Sequence, residues 1–335
     1  MHGRLFQFDL SSLSEGLVMP FPSYFVLLLA GFLLATVMGA VWAKRVGQNP
    51  DVVVDLGLAM VLAGVAGGRI LHVIADGHLT DYVNLCIDHT KVDWLISPAQ
   101  CKSAEYNGKW DFAKGVCHPT ESDCWAWARF YAGGLTYYGG FAAASAAAWF
   151  LLKADKFPFW KAADMAGMVV PLGLGFGRMG CLLAGCCFGK PWESGLAIVF
   201  PPNSPASEAE WKAGLLPTMN TGSLPVHPTQ IYESAASLAI AGFLIFYLHG
   251  KKRYDGQVFL AFVALYSVAR FVIEFVRADD RGGFLGLSTS QLVGVALVGG
   301  VVWLHKRLEA RSLELLKKAS PEPPPAEPPA QAAPA

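Results

Sequence analysis

The sequence predicts an all-α fold: a polytopic integral membrane bundle of about seven transmembrane helices, with the N-terminus outside and the C-terminus inside. Three observations carry this. Of 335 residues, 53% are hydrophobic and 16% are charged, against roughly 25% charged in a typical soluble domain. Seven apolar stretches approach the length needed to cross a bilayer, about 20 residues. Basic residues gather in alternate connections between them, the bias that sets membrane orientation.

The stretches cover residues 22–43, 52–75, 132–152, 162–184, 229–249, 256–276 and 288–304. The first follows acidic Asp9 and Glu15 and continues at full spanning length, so it reads as a span and not as a cleavable signal peptide. The second ends in "AGVAGGRI", where small residues permit close helix approach. The third opens on "GGLTYYGG", with Tyr137 and Tyr138 bracketed by glycine pairs. The fourth is glycine-rich and ends in "GFGRMGCLLAGCCFGKP". The fifth opens on "LPVHPTQIYES": Pro225 and Pro228 hold an extended lead-in, and Thr229 is the expected helix cap. The sixth carries "YSVARFVIEFVRADD", and the seventh runs into the charged helix extension "HKRLEARSLELLKK". The chain ends in "SPEPPPAEPPAQAAPA", a composition that cannot bury a core and is expected to be disordered. Residues 1–310 are thus expected to form one transmembrane domain that includes a 76–131 insertion, and 311–335 a cytoplasmic tail.

Orientation follows from Lys44 and Arg45, Lys153, Lys156 and Lys161, Lys251, Lys252 and Arg253, and His305, Lys306, Arg307 and Arg311. These loops are read as cytoplasmic. The 76–131 insertion and the 185–228 and 277–287 loops then face outward. Arg277 and Arg281 break the bias beside Asp279 and Asp280, and read as functional rather than topological. Cys86, Cys101, Cys117 and Cys124 all lie in the insertion. An even number of cysteines there predicts two disulfides, with connectivity open, in an oxidising compartment. Their spacing lacks a close Cys-x-x-Cys pair, so no zinc site is expected. Zero net charge gives no footprint for nucleic acid. "GFGRMG" matches a dinucleotide-binding pattern, but it lies at the end of a span and not in a soluble βαβ unit.

Ionisable groups inside a span are costly and mark sites or buried pairs. Arg69, Arg178, Arg270, Glu274 and Arg277 qualify. Tyr266, Arg270, Glu274 and Arg277 recur at a spacing that places them on one helix face, and Arg270 can pair with Glu274. The arginines outnumber the available carboxylates. Surplus arginine in apolar surroundings calls for an anion, and lipid phosphate is the abundant one at that depth. His227 stands just outside the fifth span, and Gln230, Tyr232 and Glu233 begin it. Tyr137 and Tyr138 fit an interfacial aromatic belt as well as a site. All of these clusters map to outer span ends.

The motifs "GRMGCLLAGCCFG", "HPTQIYE", "GGLTYYGG", "GGRI" and "ARFVIEFVRADD" resemble, in the same order, those of bacterial prolipoprotein diacylglyceryl transferases. The resemblance spans about residues 20–304 and includes "SYFVLLLAGF", whose Tyr24 matches a motif tyrosine, and the late "LSTSQ". It implies seven spans in the bacterial inner membrane, with the active site toward the outer leaflet. It implies transfer of diacylglyceryl from phosphatidylglycerol to the lipobox cysteine of a prolipoprotein, the first step of lipoprotein maturation, with glycerol 1-phosphate released. The implied partners are phosphatidylglycerol, prolipoprotein signal peptides and membrane lipids, and no cofactor or metal is implied. Two departures stand out. Tyr138 replaces the family's usual histidine. Cys181, Ala184 and Cys186 replace Asn, Asn and Glu of the arginine motif.

On this reading Arg178 and Arg270 are the catalytic phosphate clamp, with Tyr138 or His227 as proton relay. Tyr24, Arg69, Tyr266, Glu274 and Arg277 complete the lipid site. A thiol acceptor eases the chemistry, since a few per cent is thiolate at neutral pH without a base. Cys181, Cys186 and Cys187 are open to three readings: small packing residues, a disulfide or a reactive thiol. A paralogue acting on another lipid or acceptor, a membrane thiol-redox protein built on those cysteines, and a lipid-binding protein or transporter built on the arginines are the alternatives.

Overall fold

The computed structural model describes residues 4–9, 18–75, 79–94, 98–102, 108–128, 135–218, 220–278, 282–284 and 286–319. The Pro/Ala-rich segment beyond 319 and the residues Asp279, Asp280 and Arg281 lie outside the described residues. Each of the seven apolar stretches carries a helix. These are α1 (Ser23–Arg45), α2 (Pro50–Ala75), α5 (Tyr137–Ala154), α6 (Phe159–Ala184), α8 (Thr229–Phe243), α9 (Gln257–Glu274) and α10 (Thr289–Ala319). Shorter helices α3 (Leu79–Ile87), α4 (Pro98–Cys101) and α7 (Pro205–Lys212) lie in the connections. Among the described residues there are also three antiparallel two-stranded hairpins. They pair β1 (Arg4–Asp9) with β2 (Val18–Pro22), β3 (Gly108–Asp111) with β4 (Val116–Pro119), and β5 (Gly283–Phe284) with β6 (Leu287–Ser288).

Among the described residues, five helices are long and apolar enough to cross a membrane: Tyr24–Arg45, Pro50–Ala75, Phe159–Ala184, Thr229–Lys251 and Gln257–Glu274. The fourth extends α8 through a π turn at Leu244–Leu248 and a 3₁₀ turn at His249–Lys251. The other two predicted spans are helical but less apolar. Glycine, serine, alanine and two tyrosines dilute α5, and the apolar part of α10 gives way to charge at His305. Leu29, Leu33, Val37 and Val41 of α1 are exposed, as lipid-facing side chains are.

The chain forms two compact units, residues 43–157 and residues 1–42 with 158–335. In the 43–157 unit, α2 and α5 touch backbone to backbone. A Cβ on Gly67 would fall 2.6 Å from the Gly139 carbonyl, and one on Gly140 would fall 3.0 Å from that of Gly64. The two glycine-rich motifs are therefore halves of one helix crossing. Beyond α2 the insertion is stapled by two disulfides, Cys86–Cys124 and Cys101–Cys117.

In the larger unit, α6 is central and packs on α1, α8 and α9. A Cβ on Gly31 would lie 3.2 Å from the Gly173 carbonyl, and one on Gly167 would lie 3.0 Å from the Phe259 amide. Fully buried Asp164, near the start of α6, accepts from the Val258 and Phe259 amides at 2.9 and 3.2 Å. It thereby satisfies orphan donors at the start of α9. Its charge is balanced by Lys252, 2.8 Å away, which also meets Asp255 at 2.7 Å. Nearby, Tyr254 hydrogen-bonds His305 and ties the α8–α9 connection to α10.

Two local expectations change. Thr229 does not cap α8; it is the first helical residue, and its hydroxyl donates to the Cys187 carbonyl at 2.7 Å. Arg277 does not extend the α9 face. The helix stops at Glu274, because the chain turns to pair with the 188–190 segment, with Lys190 N donating to Val276 O at 2.8 Å.

Candidate active site

Arg178 lies fourteen residues beyond Asp164 on α6, about 21 Å along the axis at 1.5 Å per residue. This opposite end of the larger unit gathers most of the predicted residues. At its centre is Glu233, in the first turns of α8 and only 2% exposed. Its Oε1 receives Arg178 Nη2 at 2.9 Å and the Tyr266 hydroxyl at 2.8 Å. Its Oε2 lies 3.6 Å from Arg277 Nη1. Side chains from α6, α9 and the segment after α9 thus converge on one carboxylate of α8.

A second pair stands beside it on α9. Arg270 Nη1 meets Glu274 Oε2 at 2.5 Å, and Glu274 Oε1 accepts from the Ser288 hydroxyl at 2.8 Å. Ser288 is itself held by Gln291, whose Oε1 accepts from the Ser288 amide at 2.9 Å. Among the described residues, Arg178 and Arg277 thus approach Glu233, and Arg270 approaches Glu274. Arg270 Nη2 is buried with no hydrogen-bond partner among the described residues. A buried donor of that kind is costly to leave unmet, and an anion would meet it.

The other walls come from the glycine motif and the loop before α8. Gly180 lets Tyr24 approach: a Cβ there would lie 3.2 Å from the Tyr24 ring. The His227 ring stacks flat on Trp192, with centroids 4.2 Å apart and planes 9° apart. Its backbone carbonyl accepts from Gly189 N at 3.0 Å, and Gly189 bridges to Arg277. Only glycine fits there, since a Cβ would fall 2.6 Å from Val276 O. Cys181, Cys186 and Cys187 carry free thiols at the same end of α6, with the three sulfurs within 4.8 Å of one another.

Two predicted residues belong to the 43–157 unit. Arg69 donates through Nε to Trp127 O at 2.6 Å and through Nη2 to Ala126 O at 2.9 Å and the Tyr82 hydroxyl at 3.0 Å. Its guanidinium also lies over the Tyr82 ring. Expected as a phosphate ligand, it ties the disulfide-bearing insertion to the end of α2. Tyr138 is exposed in the first turn of α5, edge-on to Tyr137. Glu233 was not among the expected site residues. Its signal was present as an acidic side chain in the first turns of an apolar span.

A family profile described as prolipoprotein diacylglyceryl transferase matches residues 16–306. The chain belongs to the prolipoprotein diacylglyceryl transferase family. Similar curated proteins carry the name phosphatidylglycerol–prolipoprotein diacylglyceryl transferase. That of Clostridium tetani is 26% identical over 272 residues, 81% of this chain and 87% of the relative. The second such enzyme of Clostridium perfringens is 27% identical over 284 residues, 84% and 88% of the two chains. The Corynebacterium diphtheriae protein is 28% identical over 303 residues, 88% and 92%. As a prolipoprotein diacylglyceryl transferase family member, the chain is a multi-pass membrane transferase of lipoprotein maturation. Arg178, in the glycine-rich stretch at the end of α6, is one of two arginines that reach Glu233.

Proposed function

We propose that the Arg178–Glu233–Arg277 and Arg270–Glu274 cluster binds the phosphate of phosphatidylglycerol. There it drives transfer of the diacylglyceryl group to the lipobox cysteine of a prolipoprotein. The carrying observation is Arg270 Nη2, a buried donor with no hydrogen-bond partner among the described residues, although Nη1 of the same guanidinium meets Glu274. The lipobox sulfur forms a bond to the glyceryl carbon, and the bond from that carbon to the phosphate oxygen breaks. The electron pair leaves with the phosphate as glycerol 1-phosphate. Negative charge grows on phosphate as that bond breaks, so fixed guanidinium groups in a low-dielectric site hold the transition state more tightly than the ground state. Tyr24 donates a hydrogen bond, Tyr266 donates to Glu233 and steadies it, and Glu274 and Glu233 hold the guanidinium groups in place.

The thiol proton needs an acceptor. His227 is the favoured one of the two candidates, because its backbone is tied through Gly189 to the Arg277 segment and its ring is fixed by Trp192. Tyr138, exposed in the other unit, is assigned to the interfacial belt. The proposed topology uses all seven helices, with α5 and α10 as the remaining spans. It sets the N-terminus and the arginine cluster outside the inner membrane and the C-terminus inside. Residues 1–310 form the transferase domain, and 311–335 a cytoplasmic tail.

Transfer from phosphatidylglycerol to a lipobox peptide, measured on membrane-inserted protein, tests the assignment. Arg178→Ala and Arg270→Ala should each lose on the order of 10²–10³-fold in rate, the scale of a removed oxyanion donor. Arg178→Lys keeps the charge but loses the planar fork, and should fall between alanine and the parent. Near-normal turnover in both alanine variants sinks the phosphate clamp.

A further inference from the structure

The three thiols at the end of α6 are not used by the transfer chemistry, yet the fold holds them together. Cys181 is buried in the last turns of α6, and Cys186 and Cys187 follow the helix end. The chain reverses at Gly185, with φ of 75°, and again at Cys187, with φ of 59°. A left-handed cysteine is strained and persists only where its surroundings hold it. They do so here. Thr229 Oγ1 donates to Cys187 O at 2.7 Å, and Gln230 Nε2 donates to Cys186 O at 2.7 Å. Both side chains come from the start of α8, so this one element fastens, at two points, the turn that folds the two later thiols over the first.

The outcome is three sulfurs within 4.8 Å of one another. Metal–sulfur bonds of about 2.3 Å would place three sulfurs around a trigonal ion about 4 Å apart. Little movement separates the two arrangements. We propose that Cys181, Cys186 and Cys187 form a three-thiolate site for a soft, thiophilic monovalent cation of the Cu(I) type.

Three features select that class. All the ligand atoms are sulfur, which soft ions prefer. Among the described residues, no histidine or carboxylate joins the group at that spacing, whereas a closed structural zinc site takes four protein ligands. The Cys187 thiol also lies in the field of Arg178 and Arg277, which favours an anionic trithiolate–Cu(I) complex. Binding forms three sulfur–copper bonds and releases three thiol protons to solvent, with no change in oxidation state. The other four cysteines are held in disulfides and do not compete.

The test uses the full chain in detergent, with Cu(I) maintained by ascorbate and a chromophoric copper(I) chelator as competitor. One copper per chain should be retained, and retention should tighten as pH rises, because protons are displaced. Cys186→Ser and Cys187→Ser each remove a ligand and should weaken binding by at least the roughly 10–100-fold that loss of an outer-shell partner costs. X-ray absorption on the unsubstituted protein should show three sulfur neighbours, and this measurement stands even where a serine variant fails to fold. The proposal is overturned by equal retention in parent and serine variants, or by a copper shell of nitrogen or oxygen. Preference for Zn(II) over Cu(I), or a disulfide among the three thiols found by mass in the isolated protein, would also overturn it.

Discussion

Glu233 shows what a single buried carboxylate does among arginines. It is 2% exposed and meets Arg178, Arg277 and Tyr266. Removing one partner of a buried ionic group costs far more than the group's net worth, because the remaining charges stay buried and uncompensated. Glu233→Gln should therefore destabilise the larger unit by about 3 kcal/mol. It should also release Arg178 from its fixed direction and slow transfer. Thermal unfolding in detergent, paired with the transfer assay, reads both; unchanged melting would show that the carboxylate does not hold the cluster. The Arg270–Glu274 pair was legible in the sequence because an i, i+4 spacing on a helix is local. The Glu233 contacts were not, because its partners come from α6, α9 and the segment beyond α9. The engagement of Arg69 by Ala126 and Trp127 was illegible for the same reason: backbone carbonyls leave no mark in a residue pattern.

At the scale of elements, apolar period and length located the helices well, since each of the seven stretches carries one. The ends were less legible. α9 stops before Arg277 because backbone pairing with the 188–190 segment competes with the next helical turn. Glycine motifs announced close approach without saying to what. The structure pairs Gly67 and Gly68 of α2 with Gly139 and Gly140 of α5, and Gly31 of α1 with α6. Gly139→Ala is a sharp test of the α2–α5 crossing, because its Cβ would meet Leu71 and the Gly67 backbone. Backbone cannot yield as a flexible side chain does, so the helices must separate, at a cost of roughly 1–3 kcal/mol. Gly300→Ala on α10, where nothing lies within 4 Å, is the matched control and should be neutral or slightly stabilising. Equal melting temperatures for the two variants would contradict the close crossing.

At the scale of the whole molecule, the larger unit carries two polar layers at opposite ends of α6. One is the arginine–glutamate cluster around Arg178; the other is Asp164 with Lys252, Asp255, Tyr254 and His305. A span with charge at both ends fits a bilayer whose core is about 30 Å thick, with each layer near an interface. The basic residues break the symmetry. Lys44 and Arg45 close α1, and Lys251, Lys252 and Arg253 follow the extended α8. Within the larger unit, Lys252 and its neighbours lie with the Asp164 layer, in a connection that the positive-inside rule assigns to the cytoplasm. The disulfides of the insertion argue for an oxidising, outer compartment by redox chemistry, independently of charge. The orientation we propose puts the insertion outside on redox grounds and, within the larger unit, the end of α6 that carries Arg178 outside on charge grounds. An engineered cysteine at Thr120 in the insertion and another at Lys251 separate the two sides. A membrane-impermeant maleimide added to intact spheroplasts should label the first above the parent's background and reach the second only after lysis. Labelling at Lys251 in intact spheroplasts would invert the molecule and take the lipid-phosphate site to the cytoplasmic leaflet, away from an exported lipobox.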